Sequence, residues 1–136
     1  MNMKTTLVFL CFVVAVLANR LPETERARLA LIHGECQSDL RTNCDENLLR
    51  NLAANANNRQ VGVHMLCMTV KEGLQKGNGD LNKEVIRSKI ELVSQDSSRV
   101  DEHLQKCAVK KESPEKTAVA LVLCFVQNRI PYYHQL

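Results

Sequence analysis

Cys36, Cys67, Cys107 and Cys124 each fall on the apolar stripe of a separate helical segment, so any bridge among them would pin two helices together. Cys44 stands apart, at a helix start beside Asp45, and is the natural odd thiol. A sixth cysteine, Cys11, belongs to an N-terminal stretch that reads as a leader. Met1 to Lys4 is a short basic start, Leu7 to Leu17 is an unbroken apolar run, and Val16 and Ala18 occupy the small-residue positions before a cut at Asn19. The run falls well short of the ~20 residues of a membrane-crossing helix. Residues 1–18 are therefore predicted to be a secretory signal peptide and residues 19–136 a single soluble extracellular domain, in a compartment where thiols oxidise. Its five cysteines allow at most two internal bridges and leave fifteen pairings open.

Nearly every segment after the leader has three-and-four apolar spacing and none alternates like a strand, which makes the class all-α. Pro22, Glu23 and Glu25 suit the first turn of a helix whose stripe is Leu29, Ile32, Cys36 and Leu40. Thr42 or Asn43 caps a second, carrying Leu48, Leu49, Leu52 and Ala56 and ended by the Asn-rich stretch from Asn55 to Asn58. A third, from about Arg59 to Gly73, sets Val63, Leu66, Cys67, Val70 and Leu74 on one side and Met65 and Met68 elsewhere; apolar on more than one face, it is predicted to be central. Gly77-Asn78-Gly79-Asp80 is a turn. Asn82 caps a fourth helix with Val85, Ile86, Ile90 and Val93, and Ser97 or Ser98 caps a fifth with Val100, Leu104, Cys107 and Ala108. Ser113-Pro114-Glu115 starts a sixth, whose run from Ala118 to Val126 has no polar residue and must be core. Pro131 stops it, leaving the tail Tyr132 to Leu136.

Charge and motifs exclude several functions. Removing Lys4 with the leader takes the 18 basic residues to 17, against 15 acidic ones, with no basic run longer than Lys110-Lys111, so there is no electrostatic footprint for nucleic acid. No later apolar stretch is long enough for a membrane anchor, and no Asn-x-Ser/Thr triplet occurs. There is no Gly-x-Ser-x-Gly elbow, no His-Glu-x-x-His and no Gly-rich phosphate loop, so neither an enzyme nor a cofactor is predicted. His64 and Cys67 have zinc-compatible spacing without a second ligand pair, so no metal is predicted either. His33, His103 and His134 read as solvated, and no signal points to a histidine pH trigger.

The chain resembles the insect odorant-binding proteins of the pheromone-binding and general-odorant-binding type, over all of residues 19–136. That family has six cysteines on six helices, the second and third separated by three residues and the fifth and sixth by eight. Cys36, Cys67, Cys107 and Cys124 match the first, third, fourth and sixth; the second and fifth would fall at Val63 and Glu115, the pattern of the Minus-C subgroup. The surroundings agree: Cys67-Met68 before Gly73, then Asn78-Gly79-Asp80-Leu81, and Ala118 six positions before Cys124.

The resemblance implies a compact six-helix fold around an apolar cavity, stapled by Cys36–Cys67 and Cys107–Cys124, with Cys44 free and Cys36–Cys44 the rival pairing. It implies a closed pocket walled by Leu29, Met65, Met68, Leu74, Ile86, Ile90, Leu104, Leu121, Val122 and Phe125, with Thr69 as its polar group and Tyr132 or Tyr133 as a further ring contact. Methionines suit adaptable binding, and with Phe125, Tyr132 and Tyr133 the only aromatics after the leader, flexible alkyl ligands should fit best. The tail is either a lid or a frayed terminus. The implied function is a secreted carrier of small hydrophobic ligands such as odorants, pheromones or related lipids, monomeric or weakly dimeric, with an olfactory receptor as a further partner. The alternatives are a haemolymph or reproductive-fluid carrier of the same fold, and a solid-cored helical signalling protein dimerised through Cys44.

Overall fold

The computed structural model describes residues 21–136; the predicted leader and its cut before Asn19 lie outside the described residues. Six α-helices follow in order: α1 (Glu23–Ser38), α2 (Glu46–Arg50), α3 (Arg59–Lys71), α4 (Lys83–Val93), α5 (Val100–Cys107) and α6 (Pro114–Gln127), with a 3-10 turn over Ser97–Arg99 leading into α5. The fold is all-α, as predicted. α3 and α6 form the most extensive helix pair, α1 packs on α3, α5 on α6, and α4 on α5.

Polar side chains set most of the helix starts by accepting otherwise orphaned backbone N–H groups. Asn58, Asn82 and Ser113 do so for α3, α4 and α6. The cap of α2 is Asp45, not Thr42 or Asn43, and the cap of the 3-10 turn is Asp96, not Ser97 or Ser98. The reason is visible before α2, where the Thr42 hydroxyl instead donates back to the Cys36 carbonyl at 2.7 Å. That turn ends α1 at Ser38, so Leu40, expected on the α1 stripe, is 89% exposed. α2 is also shorter than predicted: the chain leaves it after Arg50 in turns tied by the Asn55 amide, which donates to the Leu48 and Asn51 carbonyls. α3 closes with Gly73 at φ 79, a left-handed conformation natural to glycine, and its N–H donates to the Val70 carbonyl.

The buried face of α3 is Val61, His64, Met68 and Thr69, whereas Val70 is exposed and Val63, Leu66 and Cys67 are half-buried. The expected stripe on α3 is thus displaced: Met68 packs with Ile32 and Cys36 of α1, and Val61 with Val119 of α6. The main core cluster joins Leu29 of α1, Ile86 and Ile90 of α4, Val100 and Cys107 of α5, and Leu121 and Phe125 of α6 with Leu74, Ile130 and Tyr132. A second joins Cys44 and Leu49 to Val61 and Val119, and a third surrounds the first disulfide with Ile32 and Met68.

The disulfides are Cys36–Cys67, joining α1 to α3, and Cys107–Cys124, joining α5 to α6. Cys44 is a free thiol, 6% exposed, and burial together with the Asp45 and Glu46 charges pushes its pKa up. Because the thiolate is the nucleophile, Cys44 should not react with Ellman's reagent in the native protein and should release one equivalent on unfolding. Rapid native labelling would contradict this placement.

Candidate functional site

A cavity of about 800 Å³ lies between the turns after α2, one face of α3, the last turns of α6 and the C-terminal tail. α3 presents His64, Met65, Met68 and Glu72, residues spaced so that they stack on one face, and α6 contributes Val122, Leu123 and Val126 by the same periodicity. Leu49 and Leu52 close the side toward α2. Between His64 and Glu72 the α3 and α6 walls are aliphatic and thioether, while Arg50, Asn51, Gln127 and Gln135 add polar groups elsewhere on the lining.

The tail is a wall of this cavity. Arg129 takes a left-handed φ of 55, Ile130 N–H donates to the Phe125 carbonyl at 2.9 Å, and the chain turns toward α1. Tyr132 is 1% exposed and its hydroxyl donates to Glu25 Oε2 at 2.8 Å. His134 stacks on His33 with centroids 4.5 Å apart. The frayed-terminus reading of the tail is not what the structure shows. Tyr133, His134 and Gln135 also separate this cavity from a second of about 630 Å³ that reaches Leu21 and Leu29.

Three imidazoles gather at one end. His33 packs edge-on to His64 at 5.1 Å, and its Nε2 lies 2.7 Å from Glu46 Oε1. The hydrogen bond from Gln37, opposed by burial and aided by His33, holds the Glu46 carboxyl below its ordinary range. Burial pushes the His64 pKa down, outweighing its hydrogen bond to the Thr42 carbonyl. Its Nδ1 lies 3.0 Å from that carbonyl and so carries the proton, which leaves Nε2 as an acceptor without a partner. Burial lowers His134 as well, followed by the neighbouring His33. His33 and His134 are thus half-buried and His103 is buried at 8% exposure, not solvated as the sequence suggested, because α1, the tail and α5 turn them inward. Among the described residues, no group of three His, Cys, Asp or Glu side chains could hold a metal ion.

At the other end stands Glu72, 6% exposed, its pKa pushed up to about 8 by burial against the opposing pull of Arg28 and Lys89. Those two cations are committed to Glu25, from Arg28 at 3.7 Å and from Lys89 at 3.1 Å.

Of the residues the sequence singled out, Met65, Met68, Val122 and Tyr132 line the large cavity. Leu29, Leu74, Ile86, Ile90, Leu121 and Phe125 pack against one another in the main core, with Leu104 at its edge. Thr69 is fully buried and donates to Gln75 Oε1 at 3.0 Å. Sequence reasoning missed His33, His64, Glu72, Leu123 and His134. For Glu72 the available signal was its place on the Met65–Met68 face of the helix; for His33 and His134 there was none, since only the path of the tail brings them together.

Along the α3 face the arrangement can hold an elongated amphiphile: an apolar strip of Met65, Met68, Val122 and Leu123 runs between His64 and Glu72. Residues 18–128 match the model of the PBP/GOBP family. No curated protein and no solved structure matches the chain.

Proposed function

Since the chain belongs to the PBP/GOBP family, that of the insect odorant-binding proteins, we propose that it is a secreted carrier that takes up small hydrophobic molecules, such as odorants, pheromones or related lipids, and moves them through aqueous fluid without altering them. The observation that carries this reading is the cavity of about 800 Å³ floored by Met65 and Met68, within the range of volumes that hold small ligands. We place the ligand against Met65, Met68, Val122 and Tyr132, with Leu29, Leu74, Ile86, Ile90, Leu104, Leu121 and Phe125 as the packed core behind it and Thr69 a polar group of that core. Residues 1–18 serve as the secretory signal in this reading, and Val63 and Glu115 at the missing cysteine positions assign the chain to the Minus-C pattern. Two disulfides accord with an oxidising compartment, and no helix among the described residues is long and apolar enough to cross a membrane. The burial of Cys44 speaks against a disulfide-linked signalling dimer.

The test is a titration with N-phenylnaphthylamine of protein recovered from the medium of cells expressing the full chain. Saturable one-to-one uptake, reversed by long-chain alcohols and esters, is expected. Leu123→Trp, which places an indole in the cavity from a half-buried position, should weaken uptake at least tenfold without lowering the unfolding midpoint. No saturable uptake by the monomeric wild type would overturn the carrier reading.

A further inference from the structure

Glu72 is an ionisable group buried at the cavity wall that no structural contact accounts for. It ends α3 as the C-cap residue, lies beside Met68 and Tyr132, and makes no hydrogen bond through its carboxyl among the described residues. The nearby donors bond elsewhere, and none of them reaches its carboxyl. Tyr132 donates to Glu25 at 2.8 Å, Lys89 reaches Glu25 at 3.1 Å, and Arg28 Nη1 reaches Tyr132 Oη at 3.5 Å while its Nη2 reaches the Lys71 carbonyl at 3.5 Å. The carbonyl end of a helix and the nearby Glu25 both disfavour a second negative charge there, as burial does, so at neutral pH the group is a carboxylic acid with an O–H to give.

We propose that Glu72 is the polar anchor of the cavity, its carboxyl O–H donating to the oxygen of an aliphatic alcohol or carbonyl compound whose chain lies along Met68 and Met65. This rests on the carrier reading and names the ligand class for its site. Glu72 follows His64 by eight positions on the α3 face, about 12 Å at the rise of an α-helix, and the two methionines occupy the interval. A ligand anchored at Glu72 thus has an apolar floor for an alkyl chain before it meets the histidines. An alkane of equal length would leave the carboxyl unpaired, and a protonated amine would require the ionised form.

The experiment displaces N-phenylnaphthylamine from the secreted wild type, Glu72→Leu and Glu72→Gln with 1-decanol, decanal, 1-decene and decylamine. The wild type is expected to prefer decanol and decanal to decene by about tenfold, Glu72→Leu to lose that preference while still taking up the probe, and Glu72→Gln, whose amide also donates, to keep most of it. Infrared difference spectra of the wild type give a second reading that needs no folded variant. The protonated-carboxyl band, identified by its absence from Glu72→Gln, should shift with decanol and not with decene. A preference that survives Glu72→Leu, a band that ignores decanol, or tightest binding of decylamine with loss of the band would overturn the anchor and leave the carrier reading standing. Failure of the wild type to take up the probe would overturn both.

Discussion

Replacing Glu72 with glutamine is expected to stabilise the protein by several kcal/mol at pH 8 and by little or nothing at pH 4. The folded state holds the Glu72 proton up to about pH 8, whereas the unfolded chain releases it near the ordinary value of 4.5. Between those values the native state binds one proton more than the unfolded state, so stability falls as pH rises through the window, then levels off above it. Below 4.5 both states are protonated and the group contributes no pH dependence. At about 1.4 kcal/mol per unit, the window corresponds to roughly 5 kcal/mol, an upper figure that water entering the cavity would reduce. Glutamine keeps the shape and removes the titration. Urea unfolding followed by circular dichroism from pH 4 to pH 9 should therefore show the wild type losing stability steadily and the variant holding a flatter profile. Parallel profiles would mean that Glu72 is ionised in the native protein, and the neutral carboxyl would be lost from the account.

The second large effect is expected at Phe125. Its ring is 1% exposed in the main core, in the cluster that also holds Leu121, Ile86, Ile90 and Tyr132, and its carbonyl accepts the Ile130 N–H that begins the return of the tail. Phe125→Ala removes the ring from a site braced by the Cys107–Cys124 disulfide, where the surroundings can relax only in part, and should cost about 3–5 kcal/mol. That is a large part of the total stability of a domain of this size, about 5–15 kcal/mol. Because Phe125 lies in the packed core and not on the wall of the large cavity, folded Phe125→Ala protein should bind the fluorescent probe within about threefold of the wild type, below the ~1.4 kcal/mol of a tenfold change. The check is a pair of measurements on one sample, a urea midpoint and a probe titration. Lost affinity with an unchanged midpoint would move the pocket to the other side of α6.

Local chemistry in the sequence was enough for the helix order, the caps at Asn82 and Ser113, and the central places of α3 and α6. It was not enough where two local signals competed. Thr42, Asn43 and Asp45 are all competent caps, and the choice fell to Asp45 because the Thr42 hydroxyl is used on the Cys36 carbonyl. The stripe on α3 failed for a related reason: a helix apolar on several faces does not say which face its neighbours will cover. The two disulfides came from the family's pairing, since helix periodicity by itself left other pairings open.

The candidate site was the least legible part. The apolar residues of α4 and α6 were grouped with the methionines of α3 because all are strongly hydrophobic, yet Ile86, Ile90 and Phe125 pack in the main core cluster while Met65 and Met68 line the cavity. Hydrophobicity reports burial and does not distinguish packed from hollow. The polar ends of the cavity were harder still. His33 and His134 are far apart in the chain and meet only because the left-handed turn at Arg129 sends the tail toward α1.

The most direct test of the cavity as the proposed binding site is methyl-methionine NMR of the protein, with Met65 and Met68 assigned by single Met→Leu variants and decanol added stepwise. The account predicts saturable shifts at both methyl groups, matched to displacement of the fluorescent probe, with much smaller changes at the methyls of Ile86 and Ile90 in the main core. Saturable binding that moves the isoleucine methyls and leaves both methionines still would contradict it.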